Sequence, residues 1–167
     1  MKLHALLTPL TLLLFFVSAG VLLSCSQDDP EDFVRDTAVE ISIVSAAGED
    51  LLDPALPNAI GQAAIKVSYL QQGRPVQVMN SNLDYQNGFL IYRSSHYTLR
   101  LFPSEHIDQQ GRSTTYLQLK ESEPADTLVC QLKQLHHQSA SVVVSKIWHN
   151  SQLVWDGTGP RYFVLTK

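Results

Sequence analysis

The stretch Lys146-Ile147-Trp148-His149-Asn150-Ser151-Gln152-Leu153-Val154-Trp155 carries an apolar run on each side of a two-residue break. That arrangement predicts an antiparallel hairpin turning at Asn150-Ser151. The turn sets His149 opposite Gln152, Trp148 opposite Leu153 and Ile147 opposite Val154. Strand side chains alternate between faces, so Trp148, Leu153 and Trp155 share one face and Ile147 and Val154 the other. The same phase carries back to Val142 and Val144, which makes the tryptophan face the expected core face. Were that face exposed instead, Trp148 and Trp155 would form a candidate ligand face with contact area for a glycan or a protein.

Outward from the hairpin the chain reads as short strands almost throughout. Val39, Ile41 and Ile43 alternate with Glu40 and Ser42, and Ile65, Val67 and Tyr69 alternate with Lys66 and Ser68. Gln72-Gly73 then turns the chain into Val76 and Val78. Phe89–Tyr92 and Tyr97–Phe102 flank the break Arg93-Ser94-Ser95-His96. Segments at Thr114–Leu119, Thr127–Leu132, Val142–Trp148, Leu153–Trp155 and Tyr162–Leu165 complete the set. Short strands at near-regular spacing, with Gly, Asn, Ser and Asp between them, predict an all-β domain. An antiparallel two-sheet β-sandwich, immunoglobulin-like or related, is favoured over a closed barrel because no ligand-lining signature appears. Leu56–Ala64 is the one stretch that could make a short turn of helix.

The N-terminus is of a different kind. Lys2 is followed by a charge-free apolar run from Ala5 to Leu23, then by Leu22-Leu23-Ser24-Cys25 and the acids Asp28, Asp29, Glu31 and Asp32. A cation, an apolar core and a small residue at the break mark a secretory signal. An uncleaved membrane anchor is the competing reading, diluted by Thr8, Pro9, Thr11 and Ser18. With Cys25 after Ser24 the segment resembles a bacterial lipoprotein signal, whose closing cysteine is lipidated and becomes the first mature residue. Several acyl chains on Cys25 would give an anchor far firmer than a single one. The resulting division is 1–24 signal peptide, 25–37 lipidated flexible acidic tether and 38–167 β-sandwich domain. About 130 residues suffice for a single core. Ser26-Gln27-Asp28-Asp29-Pro30-Glu31-Asp32 is too acidic and too poor in apolar residues to fold by itself. It resembles the export tether of surface lipoproteins in Bacteroidota, which implies an outer-membrane location facing the cell exterior.

Composition narrows the partners. The net charge is −4 over 167 residues, and no basic stripe stands out, which argues against nucleic acid. The chain has two cysteines; with Cys25 lipidated, Cys130 has no intramolecular partner. Its phase with Leu128 and Leu132 predicts a buried, inert thiol.

Motifs for chemistry are thin. Of six histidines, His4 leaves with the signal and the adjacent His136-His137 would point to opposite faces of a strand. His96, His106 and His149 have no partner at ligand spacing, so no metal and no cofactor is expected. Gly48-Glu49-Asp50-Leu51-Leu52-Asp53-Pro54 lacks the alternating oxygen ligands of a calcium loop and reads as acidic turn chemistry. No nucleophile elbow, phosphate loop or dinucleotide fingerprint appears, so no catalytic residue is assigned. Asp84, Asp108, Glu121, Glu123 and Asp156 remain as carboxylates from which a glycan-directed hydrolase would have to assemble a pair through space. Asp36-Thr37-Ala38 and Asp126-Thr127-Leu128 resemble the short O-glycosylation acceptor of Bacteroidota, with Thr37 the better placed beside the tether.

A broader resemblance spans the mature domain. Gly48–Pro54 followed by Ile65–Tyr69, then Asn82-Leu83-Asp84, Gly88-Phe89 and the closing Lys146–Trp155 hairpin are similar to small uncharacterised lipoproteins of gut-type Bacteroidota. The resemblance implies an extracellular β-sandwich and carries no catalytic or binding residues across. The expected role is a lipid-anchored binding or assembly module whose partner is a glycan, an outer-membrane protein or a host protein. A small surface hydrolase and a purely structural envelope protein are the alternatives.

Overall fold

The computed structural model describes residues 35–81, 85–135 and 141–167. Cys25, Asp84, His136 and His137 lie outside the described residues. Among the described residues, eleven strands form two open, facing sheets, a β-sandwich. They are β1 (Arg35–Asp36), β2 (Val39–Val44), β3 (Lys66–Gln71), β4 (Arg74–Gln77), β5 (Phe89–Arg93), β6 (Tyr97–Leu101), β7 (Arg112–Gln118), β8 (Asp126–Gln134), β9 (Val142–His149), β10 (Gln152–Trp155) and β11 (Tyr162–Thr166). The larger sheet runs β1-β9-β8-β7-β3-β4, with β10 also on β9; the smaller runs β11-β2-β6-β5. The stretch Leu56–Ala64 contributes a 3₁₀ turn at Gln62–Ala64.

The pattern that predicted the strands is the one that buries them. Ser113, Thr115 and Leu117 of β7 are buried while Thr114, Tyr116 and Gln118 between them are half-buried. Asp126, Leu128 and Cys130 do the same on β8. Ile41, Leu99, Leu101, Leu117, Leu128 and Ile147 fill the space between the sheets and are fully buried. The tight turns are chemically apt as well: Gln72 and Gly73, and Asn150 and Ser151, all have positive φ, as a two-residue hairpin turn of the right twist requires.

Three features depart from the sequence expectations. The sheets are mixed, because β1 lies parallel to β9 and β11 lies parallel to β2. The strand Arg35–Asp36 lies inside the stretch assigned to the tether, and Thr37 is buried.

The tryptophan face is the third correction. Leu153 pairs with Trp148 as expected, but the register then slips and Trp155, not Val154, pairs with Ile147. A second slip makes Ser145 an extra residue in β9, between the pairs Gln131–Lys146 and Leu132–Val144. Each bulge inverts the alternation beyond it. Val144 and Ile147 consequently point inward together, and Trp148 points outward with the exposed Leu153. Trp155 turns in and packs against the core. The two rings do not share a face.

Cys130 is fully buried, and burial pushes its thiol up to about 12. Since the thiolate is the reactive species, the folded Cys25→Ala chain should label with a thiol reagent only on unfolding. Stoichiometric labelling of the native chain at neutral pH would contradict this burial.

Candidate functional site

The residues singled out for chemistry in the sequence are dispersed. Asp108 accepts hydrogen bonds from the Gln110 and Arg112 N–H groups and holds a turn. Glu121 pairs with Lys66, Glu123 with Lys120, and Asp156 bonds Thr158. In the 48–54 loop, Asp50 accepts from the N–H groups of Leu52 and Tyr97, and Asp53 from that of Ala55. These are turn and loop-docking roles. Among the described residues, no group of three or more His, Cys, Asp or Glu side chains converges on a metal-sized site. His96 meets the edge of Tyr162, and His149 joins a buried cluster around Asp126.

Trp148 lies on the outer face of the larger sheet with the Arg112 guanidinium 5.0 Å from its ring centre. Trp155 carries the Arg161 guanidinium at 5.5 Å, and its indole N–H is buried without an acceptor. Arg161 also clamps the entry of the chain. It donates to both Asp36 oxygens, at 2.8 and 3.0 Å, and to the Ala38 carbonyl at 2.8 Å. The Arg161 guanidinium holds the Asp36 carboxyl below its usual range.

A cleft that no sequence motif announced opens beside this entry. Its volume is about 540 Å³, within the range of small-molecule sites. Its walls are Arg35 and Thr37 at the entry, Tyr69 and Gln71 of β3, Tyr85 and Gly88 before β5, and Phe102, Pro103, Glu105 and His106 after β6.

The floor is aromatic and held at several points. The Gly88 N–H bonds the Tyr85 carbonyl at 3.0 Å, and the Phe102 N–H bonds the Gly88 carbonyl at 3.0 Å. That turn lays Tyr85 on Phe102, ring centres 4.8 Å apart and planes 11° from parallel. The Tyr69 hydroxyl donates to the Phe102 carbonyl at 2.7 Å. Burial, with the Glu105 charge nearby, pushes the Tyr69 phenol up to about 12, so it remains a donor at any physiological pH. Gly88 is required here: its φ is +76°, and a Cβ would lie 3.2 Å from both the Tyr69 hydroxyl and Val78.

The rim is polar. Arg35 and Glu105 form an ion pair in which both side chains stay substantially exposed. Ser104, between Pro103 and Glu105, is buried, with its N–H on the Thr115 hydroxyl at 2.9 Å. The wall is thus fixed to β7. One carboxylate, Glu105, lines the cleft among the described residues. The sequence signal that would have found this site is slight: Tyr69 within β3, Tyr85 in the turn before β5 and Phe102 just after β6 are separated in the chain and share no motif.

No protein-family model matches the chain, and neither curated proteins nor solved structures give a match.

Proposed function

We propose that this chain is a lipid-anchored outer-membrane lipoprotein of the small Bacteroidota-type kind, displayed to the cell exterior, that acts as a non-catalytic binding module. Location rests on Leu22-Leu23-Ser24-Cys25 and the acidic stretch after it, with Cys25 carrying the lipid. The observation that carries the binding role is the cleft floored by stacked Tyr85 and Phe102. A pre-formed concave site with an apolar floor and a few polar groups is how small ligands are held. Glycoside hydrolysis in its usual form needs two carboxylates flanking the bond. Among the described residues Glu105 is the one carboxylate in the lining, and it is already paired with Arg35, which favours binding over hydrolysis.

Protease shaving of intact cells tests the location. The wild-type domain is expected to be degraded on intact cells, and Cys25→Ala is expected to leave the membrane fraction. Full protection until the outer membrane is opened would refute display and turn attention to periplasmic partners.

A further inference from the structure

The chemistry of the cleft defines a class of ligand. Tyr85 rests one ring face on Phe102 yet remains 38% exposed, so it offers a flat, immobilised apolar surface. Such a surface suits a ring with an axial C–H face, because apolar contact needs area and little polarity. The edge of the cleft has the opposite character. Arg35 and Glu105 set a planar donor beside a planar acceptor, and the Gln71 amide and His106 ring add groups that both donate and accept. Hydroxyl groups, each donor and acceptor at once, match that mixture.

Charge sharpens the choice. The Arg35 cation and Glu105 anion neutralise one another, so among the described residues the lining holds no surplus charge for an anionic or cationic ligand to meet. A flat apolar floor, a donor-acceptor rim and balanced charge together describe a neutral polyhydroxylated ring. Building on the binding role proposed above, we infer that the cleft binds a neutral saccharide, one pyranose ring stacking on Tyr85 and its hydroxyls bridging Arg35 and Glu105. Tyr69 does not bond the sugar directly; its hydroxyl is committed to Phe102 and positions the floor.

Calorimetric titration of the full-length protein in detergent tests this. The probes are maltohexaose, cellohexaose, xylohexaose and mannohexaose as neutral sugars, hexagalacturonate as a charged sugar, and adenosine as a planar aromatic. At least one neutral hexasaccharide is expected to bind below about 10 mM, and Tyr85→Ala to weaken it roughly ten-fold or more. Glu105→Gln, which keeps the shape and removes the charge, should weaken the same sugar while Leu153→Ala, outside the cleft, leaves it unchanged. Silence from all four neutral sugars overturns the inference, as does binding of adenosine or hexagalacturonate alone. A sugar that responds to Trp148→Ala and not to Tyr85→Ala places the site on the outer sheet and overturns it equally. Titration uses purified protein, so its failure leaves the shaving result standing, and failed display leaves the titration standing.

Discussion

Replacing Asp126 by alanine is expected to lower the unfolding free energy by about 3–5 kcal/mol, the usual penalty for removing one partner of a buried ionic cluster. Asp126 opens β8 and only 8% of its side chain is exposed. Lys167, the last residue, brings its ammonium to 2.6 Å from one carboxylate oxygen. His149 Nε2 lies 3.0 Å from the other oxygen, and the Asn150 amide donates to that same oxygen at 2.9 Å. The cluster ties both sheets together, because Asp126 and His149 belong to the larger sheet while Lys167 follows β11 of the smaller. His149 also stacks on Phe163 of β11, ring centres 5.9 Å apart. Guanidinium unfolding followed by tryptophan fluorescence should show the loss, with a fall in melting temperature of roughly 10–20 °C. A change under 1 kcal/mol would mean that Lys167 and His149 find water once the carboxylate is gone.

The same cluster sets a pH dependence. Burial alone would raise the Asp126 pKa, but hydrogen bonds from Lys167, His149 and Asn150 outweigh it and hold the carboxyl below its ordinary value. A folded-state pKa below the unfolded one gives stability that is present above about pH 4 and lost as pH falls through the folded value. Asp126→Asn should therefore be weaker than wild type at neutral pH and converge on it in acid.

The second large effect lies at Gly157. Its φ is +99°, and a Cβ placed there would stand 2.8 Å from the backbone carbonyl oxygen of Ser145. Ser145 is the extra residue of the β9 bulge, so neither side of this contact can yield without disturbing the register of β9. Gly157→Ala is expected to be destabilising by about 3 kcal/mol, combining ~1–2 kcal/mol of left-handed backbone strain with ~1–3 kcal/mol of overpacking. Gly159 provides the comparison. Its φ is +67° and nothing lies within 4 Å of the would-be Cβ, so Gly159→Ala should show the strain alone. Equal midpoint shifts for the two variants would mean that the Ser145 contact relaxes freely.

The bulge that Gly157 packs against leaves no mark in the sequence. Alternation in β2, β7 and β8 was legible because each buries one face against the facing sheet, and a one-residue slip would expose it. Ser145 and Val154 break the rule in β9 and β10 with ordinary side chains, so nothing local warned that Trp148 and Trp155 would part. β1 was invisible for another reason. Arg35 and Asp36 have no apolar pattern, and Asp36 is held by an arginine 125 residues away. The cleft shares that difficulty, since Tyr69, Tyr85 and Phe102 meet only once β3, β5 and β6 have taken their places. Periodicity reports what a strand buries, and it is silent on which loops become neighbours.

The parallel pairing of β2 with β11 has a consequence for folding. β2 sits between β6 and β11 in the smaller sheet, and all five residues of β11 have partners on β2. β2 therefore waits for a strand far along the chain, Tyr162–Thr166, before its ladder is complete. Folding of that sheet is governed by contacts of very long sequence separation, which form slowly. Until Tyr162–Thr166 has docked, one side of β2 stays open, an unpaired strand edge of the kind that another chain can pair with.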